Sequence, residues 1–459
     1  MDPIRTREQL VDALMDAGDV EHQLMVQYLY AGFSLRRDPM PGKCTPAQYE
    51  HVRRWSSTLF MIARQEMEHL SFVNEMLTAI GAPPHFNREN IGKEGLQSPY
   101  FSAATLAREA SEGDLVPISL RYAFNRFSVR TVARFVCGES PPYADLPHGV
   151  DPFWCFDCPD AAGFRLEQED EPKTLPARLH ADRNEHMEIA AGNVQELYEA
   201  IADAFRTLDG IFVTDPAEVE IPVEYNVFVF PVTDRASALA AVDLILKQGE
   251  GLGDPWNLDS HFRRFMEIYY EYQRLLTADR GFDPAYKLMT NPLSGDIRDG
   301  FVRELFDTAN DAYVVLLLML AGLYARAVPA SQDRYPHFAT ALSQMAFAPA
   351  MTMIIRPLNE VLVELPIDRG SEYSVGSSYF IPEGDQALLA NPLDAKLGDI
   401  RTMLTRWEEL TARIARLVAA APDPQTRSSL EYIRQTSHRI GLNLRQIYQA
   451  GAYPKFVST

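Results

Sequence analysis

Apolar residues recur every three or four positions over most of the chain, which is the pattern of amphipathic α-helices. This pattern predicts a first long helix at about residues 6–35 and a second at about 46–80, separated by a turn with two prolines and a glycine. Gly81 and the prolines after it are a typical end of a helix. The two helices are therefore expected to form an antiparallel hairpin.

Further helices are predicted along the rest of the chain. They cover residues 118–136, 181–208, 236–247, 261–276, 301–327, 338–365, 393–420 and 425–449. Residues 211–232 combine β-branched and aromatic residues with prolines, which favours extended chain. Residues 370–391 are expected to form a loop, and residues 138–176, rich in prolines and acids, a long surface insertion. The predicted fold class is mostly α.

The composition favours a folded globular protein and argues against some classes of partner. Hydrophobic residues make up 46% of the chain and charged residues 23%, which is typical of a folded globular protein. The net charge of −20 would repel phosphate backbones and anionic lipids, so neither nucleic acid nor a membrane is an expected partner. The longest apolar run, residues 314–320, is shorter than the roughly 20 residues that span a bilayer. No secretion signal is recognised at the N-terminus, so a cytoplasmic location is expected.

Two glutamates lie in the middle of apolar faces of the predicted hairpin. The face of Glu21 carries Leu14 and Tyr28, and the face of Glu66 carries Leu59 and Leu70. An unpaired carboxylate in such surroundings would cost on the order of several kcal/mol, so a positive group should compensate it. Both glutamates lie about 20 residues from the turn, which places them at similar height in an antiparallel hairpin.

His69 follows Glu66 by three residues, so both side chains can reach one point. Glu-x-x-His facing a glutamate of a neighbouring helix is the arrangement by which helical bundles hold iron or manganese. A single Glu-x-x-His is also found as a surface pair. The two apolar faces and the matched register favour the metal site formed by Glu21, Glu66 and His69.

A complete site needs ligands from a second pair of helices. Glu250 lies between two glycines at the end of one predicted helix, and His261 opens the next, so the two side chains would meet across a turn. A solvated helix end and a capping residue are the alternative interpretations. Of the acids in 181–208, Glu199 is expected to be exposed, whereas Glu196 is open to either interpretation. Glu139 follows an apolar stripe and could point inward, but the two prolines after it indicate a helix end.

Several segments resemble, in order, a ferritin-like group of enzymes, the iminophenyl-pyruvate dimer synthase type of the violacein and rebeccamycin pathways. These enzymes oxidatively couple two indole-pyruvate imines. The resemblance covers roughly residues 5 to 380 and is most specific in five segments, which read VEHQLMVQYLYAGFS, IARQEMEHLSFVNEMLTAIGAPP, VQELYEAI, VTDRASALAAVDLILKQGEG and SHFRRFMEIY.

The resemblance implies a ferritin-like helical bundle with additional C-terminal helices. Residues 1–280 would form the metal-binding bundle, 281–391 additional core helices and a loop, and 392–459 a C-terminal helical hairpin. The residues implied as catalytic are five, Glu21, Glu66, His69, Glu250 and His261. The implied metal ligands are the same five together with Glu196. Four glutamates and two histidines suit two iron ions, whereas three glutamates and two histidines suit two manganese ions.

The expected function is that of a metal-dependent oxidoreductase which uses dioxygen or peroxide. Its substrate would be a small amino-acid-derived molecule or natural-product intermediate, undergoing oxidative coupling or oxygenation. One alternative is a single metal ion on Glu66, His69 and His261, or a haem, although the spacing of the other histidines indicates no axial ligand. Another is a non-catalytic metal-binding or scaffold protein for a biosynthetic partner enzyme. The oligomeric state stays open, with a homodimer among the options.

The pair Cys155 and Cys158 forms a lone C-x-x-C in the expected insertion. Half of a zinc ribbon without its other half is a weak signal, and a redox motif would require a strand followed by a helix. We interpret these two thiols as part of loop packing.

Overall fold

The structure is a computed structural model of the 459-residue chain. It describes residues 3–101, 119–141, 193–213, 228–249, 259–325, 348–391 and 400–451. Glu250, the two cysteines Cys155 and Cys158, and all but the first residues of the expected insertion lie outside the described residues.

The first two helices form the predicted hairpin. Helix α1 spans Arg7–Ser34 and α2 spans Pro46–Ala79, and the two pack against each other along their lengths. Each helix begins with a capping box, in which the hydroxyl of Thr6 or Thr45 accepts a hydrogen bond from the backbone of the third helical residue. Both predicted helices are confirmed to within one residue at each end.

Two further pairs of helices pack against this hairpin. Helix α3 (Val129–Gly138) packs on α6 (His261–Ala278), and α4 (Val194–Thr207) packs on α5 (Arg235–Gly249). Helix α4 contacts α1, whereas α5 and α6 contact α2. The middle of the first hairpin is therefore enclosed by the other helices, which buries the faces that carry the two glutamates.

The single helix predicted at residues 118–136 is wrong. Strand β1 (Leu96–Phe101) pairs antiparallel with β2 (Ser119–Tyr122), and α3 begins only at Val129. The backbone between them is held by side chains from elsewhere in the fold, since the N–H of Phe127 donates to Ser34 Oγ at 2.7 Å and that of Phe124 to Asn291 Oδ1 at 2.7 Å. These tertiary hydrogen bonds replace the helical ones that the periodicity suggested.

The later part of the chain adds helices to the same core. Helix α7 spans Gly300–Ala325, and a π-helical turn at Met351–Ile355 leads into the short α8 (Arg356–Leu362). Helices α10 (Ile400–Ala420) and α11 (Pro424–Gly451) form the predicted hairpin. One continuous cluster of buried apolar residues reaches from α1 to α11. The predicted division of the chain into three parts, with boundaries at residues 281 and 392, stays a prediction.

The loop predicted at residues 370–391 is wrong at its end, where α9 spans Glu383–Ala390. Glu383 and Asp385 in its first turn favour a helix start. Asp385 also pairs with Arg406 of α10 at 2.7 Å. This short helix is therefore fixed by a contact with a distant element.

By length and composition alone, helix α7 is long and apolar enough over Gly300–Tyr324 to cross a membrane. Of this apolar window 83% is buried inside the protein, which is the behaviour of a helix in a protein core.

Candidate metal centre

The first half of the centre lies between α1 and α2. Glu21 and Glu66 are 3% and 1% exposed, and they lie on either side of His69. Nδ1 of His69 is 3.2 Å from Oε2 of Glu21 and 3.0 Å from Oε2 of Glu66. The apolar faces and the register of the hairpin thus bring these three side chains to one point.

The second half comes from the ends of two other helices. His261 is the first residue of α6 and is completely buried. Its Nδ1 lies 3.0 Å from Oε1 of Glu66 and 3.7 Å from Oε2 of Glu139, the residue that caps the C-terminus of α3. Because α3 packs on α6, the end of one helix is held beside the start of the other.

These five side chains form two overlapping sets of ligand-type atoms. One set is Glu21, Glu66 and His69, and the other is Glu66, Glu139 and His261. The atoms in each set lie within 4.8 Å of one another, and all five side chains are buried. Each set could hold a metal ion, and Glu66 belongs to both sets.

Three buried polar atoms at the junction of the two sets lack a hydrogen bond. They are Oε1 of Glu66 and both ring nitrogens of His261. Oε1 of Glu66 and Nδ1 of His261 are 3.0 Å apart, but their directions do not suit a hydrogen bond. Buried polar atoms are normally paired, so a carboxylate oxygen and an imidazole nitrogen that are this close together and lack a hydrogen bond fit a cation held by both.

The carboxylates of the centre are paired with its histidines. Among the described residues, the ion pairs of Glu21, Glu66 and Glu139 are formed with the two histidines. Burial raises the pKa of Glu21 to about 7, against the opposing effect of His69. Burial also acts to raise the pKa of Glu66, but His261 and His69 outweigh it and hold that pKa well below its usual range.

The carboxylates in turn raise the pKa values of the two histidines. Burial alone would lower the pKa of His261, but Glu66 and Glu139 raise it to about 9. Burial is likewise outweighed at His69, where Glu21 and Glu66 raise the pKa well above its usual value. Protons on the imidazoles therefore compensate the carboxylates in the protein without ions, and a bound cation would take the place of these protons.

A second layer of side chains orients this centre. The hydroxyl of Tyr198 donates to Oε1 of Glu21 at 2.5 Å, and that of Tyr28 donates to Oε1 of Glu139. Burial, together with the neighbouring carboxylates, raises the pKa of both tyrosines well above 10, so both stay neutral donors. Gln248 Oε1 accepts from Nε2 of His69 at 2.9 Å, which leaves Nδ1 directed at the two glutamates.

A small cavity of about 40 Å³ opens at the centre. Its apolar lining consists mainly of Val20, Leu24, Val194, Ile245 and Leu246. A space of this size holds on the order of two or three water-sized groups. It suits ions and small inorganic molecules, whereas an indole ring would not fit without movement of the lining.

Only some of the predicted ligands are seen to converge at the centre. It brings together Glu21, Glu66, His69 and His261, whereas Glu250 lies outside the described residues. Glu196 is half-buried in the first turn of α4, where its backbone N–H donates to the capping side chain of Asn193, and neither ligand set contains it. Its predicted role as a ligand stays a prediction.

Glu199 is exposed, as expected, and accepts a hydrogen bond from Gln195. Of the other histidines that could offer a haem an axial ligand, His22 is buried against Tyr313, His438 is exposed and His186 lies outside the described residues.

The sequence left open whether Glu139 points inward and did not place it among the predicted ligands, and it gave no role at the centre to Tyr28, Tyr198 or Gln248. Glu139 does stand at a helix end, as its prolines indicated, but its side chain is only 4% exposed and points into the centre. The apolar stripe before it was the available signal. Contacts of the other three depend on packing between distant helices and leave no local pattern.

Comparison with known proteins gives one family match. A family profile described as ferritin-like matches residues 14–270, which is more than half of the chain. Among solved structures, a ferritin-like protein from Caulobacter vibrioides aligns with 76% of this chain and 96% of its own, at 16% identity and a TM-score of 0.42.

Two curated enzymes are similar to the chain. Dichlorochromopyrrolate synthase of Lentzea aerocolonigenes is 25% identical over 93% of this chain and 40% of its own length. The 2-imino-3-(indol-3-yl)propanoate dimerase of Chromobacterium violaceum is 26% identical over 79% of this chain and 33% of its own length. The chain thus spans about two fifths or less of the length of these relatives.

Proposed function

The chain belongs to the ferritin-like family, and on that premise we propose that it is a metal-dependent oxidoreductase acting on a small amino-acid-derived substrate. Its centre would be a pair of iron ions held by Glu21, Glu66, His69, Glu139 and His261. The predicted ligands Glu196 and Glu250 stay candidates for further positions. These five residues alone, three glutamates and two histidines, are the set that suits two manganese ions, so manganese is the alternative metal, and a fourth glutamate, Glu196 or Glu250, would complete the set that suits iron.

One observation carries this proposal, namely that two buried ligand sets share Glu66. A structural ion pair would need one carboxylate and one cation. Here three carboxylates and two imidazoles converge in a space from which solvent is excluded, and atoms at their junction have no hydrogen bond. Removing so many charged groups from water is costly unless cations are bound among them.

When bound, the metal pair would supply oxidation chemistry with dioxygen or peroxide. The residues of the chain would do the rest. The carboxylates offset the positive charge of the ions, and Gln248 keeps the proton of His69 on Nε2, away from the ions. Tyr198 and Tyr28 fix the carboxylates of Glu21 and Glu139, while the apolar lining keeps bulk water out.

The proposed substrate class rests on the relatives. One of them is named as the dimerase of an imine that carries an indole ring. An imino acid of this type, derived from an aromatic amino acid, is therefore the first substrate to test. Since the cavity is smaller than an indole ring, we expect the substrate to bind beside the centre rather than inside it.

The test is consumption of dioxygen or peroxide by iron-loaded protein in the presence of such an imino acid. We expect the wild type and Glu199→Ala, whose side chain is exposed, to behave alike. His261→Ala should lose bound metal and the substrate-dependent consumption together. Wild-type protein that binds iron but consumes neither oxidant with any aromatic imino acid would favour the non-catalytic alternative.

A further inference from the structure

A second cavity, of about 440 Å³, lies away from the metal centre. Among the described residues, five arginines and no carboxylate line it. Its arginines are Arg36, Arg37, Arg53, Arg64 and Arg356. In a chain with a net charge of −20, such a concentration of guanidinium groups is unexpected, and nothing in the metal centre requires it.

One face of α2 provides much of this arginine cavity. Arg53, Ser57, Phe60 and Arg64 follow one another at intervals of three or four residues, so they lie in a row along the helix. Arg64 and Glu66 are only two residues apart and therefore point to different sides of α2. The arginine cavity and the metal centre thus use separate faces of the same helix.

The cavity is held in shape by contacts that involve its lining. The hydroxyl of Tyr49 donates to the carbonyl of Arg37, and Nη2 of Arg37 donates to the carbonyl of Glu360 at 2.7 Å. The guanidinium of Arg356 lies over the ring of Phe60, at 5.4 Å from its centroid. These contacts arrange the loop after α1, the face of α2 and the start of α8 around one space before any ligand arrives.

Each of these five arginines pairs with a carboxylate, and none of those carboxylates is among the described residues that line the cavity. Arg53 pairs with Glu50 at 3.0 Å, and Arg356 pairs with Glu360 at 2.9 Å. A guanidinium carries five N–H donors, and one carboxylate leaves several of them unused. Arg64 is the weakest paired, since Glu68 is 3.7 Å away and its buried Nε has no hydrogen-bond partner.

We propose that this arginine cavity binds a small phosphorylated molecule. Guanidinium groups match phosphate oxygens in pairs of parallel hydrogen bonds, and the hydroxyl of Ser56 adds a further donor. Phe60, Met61 and Tyr49 offer an apolar side to an organic group attached to the phosphate. The volume lies in the range of small-molecule sites, which is roughly 300–1,000 Å³.

Phenyl phosphate is the probe for this proposal, because it joins a phosphate dianion to an aromatic ring. Isothermal titration calorimetry of the iron-loaded protein should show saturable binding that is tighter than that of inorganic phosphate. Phthalate, an aromatic dicarboxylate of similar size, should bind more weakly than phenyl phosphate. General attraction of anions is not expected from a protein of this charge.

Variants locate the site. Arg53→Gln and Arg64→Gln should each weaken phenyl phosphate binding about tenfold or more, since each removes charge-assisted hydrogen bonds. Arg298→Gln removes the same charge from a side chain that is 83% exposed and is not part of this lining, and it should bind like the wild type. Bound iron should be unchanged in all three, which separates this site from the metal centre.

Three results would overturn the proposal. The first is no saturable binding of phenyl phosphate to the wild type. The second is phthalate binding as tightly as phenyl phosphate, because the site would then recognise carboxylates. The third is an equal loss in Arg298→Gln and Arg64→Gln, since the effect would then come from net charge.

Discussion

Glu66 is the residue on which the proposed centre depends most, because it alone belongs to both ligand sets. Glu66→Ala should therefore remove most of the bound metal, which elemental analysis of the purified protein would measure. Glu199→Ala, on an exposed helix face, is the matched control and should keep its metal. Full retention of metal by Glu66→Ala, with its circular dichroism spectrum unchanged, would exclude Glu66 as a ligand.

Substitutions of Glu139 and Glu196 are expected to affect the bound metal differently. Glu139 is buried 3.7 Å from His261, whereas Glu196 is half-buried and outside both ligand sets. Glu139→Gln should lower the bound metal from two ions per chain towards one, while Glu196→Gln should change it little. Metal analysis of the two variants side by side decides between them, and the reverse pattern would restore Glu196 to the centre in place of Glu139.

The site residues that the sequence predicted and those that it missed differ in what fixes the direction of their side chains. Glu21, Glu66 and His69 lie within long helices, where the period of 3.6 residues fixes which side chains share a face. Glu139 lies at a helix end, where the period stops and only tertiary packing decides the direction of a side chain. Tyr28 and Tyr198 are tyrosines on apolar faces, which in a sequence look like ordinary core residues.

The packing of the two helices in the C-terminal hairpin depends on a buried tryptophan. Trp407 of α10 is completely buried, and its Nε1 donates to the carbonyl of Ser437 on α11 at 2.7 Å. Trp407→Ala would leave a large cavity between the helices and lower the free energy of unfolding by about 3–5 kcal/mol. Urea denaturation followed by circular dichroism would measure this loss.

Tyr432→Ala on α11 is the control, since its side chain is 52% exposed and removes little buried contact. A loss below about 1 kcal/mol in both variants would mean that α10 and α11 do not pack as described.

The elements that were predicted correctly are those whose stability is local. The two helices of the first hairpin carry their own caps and a long apolar face, so their bounds follow from the sequence. The failure at residues 118–136 has the opposite cause, because side chains such as Ser34 and Asn291, distant in the sequence, hold that backbone. Single-sequence patterns carry no information about such partners.

For the whole molecule, the ferritin-like and mostly helical fold is confirmed, with additional C-terminal helices. The metal centre should couple binding to folding, since its carboxylates are buried and, among the described residues, form ion pairs only with the two histidines, whose protons a metal ion would replace. Iron at about 100 times its dissociation constant should stabilise the wild type by roughly 2.7 kcal/mol, seen as a higher melting temperature. Glu66→Ala should show no such increase, and an equal increase in both proteins would place the stabilising ion elsewhere.

The most direct measurement of the central claim is anomalous X-ray scattering from crystals of the iron-loaded protein at the iron absorption edge. We predict two peaks among Glu21, Glu66, His69, Glu139 and His261, with the carboxylate of Glu66 between them. A single peak on one side of Glu66 would reduce the centre to one ion. No peak among these five side chains, in crystals that contain iron elsewhere, would contradict the account.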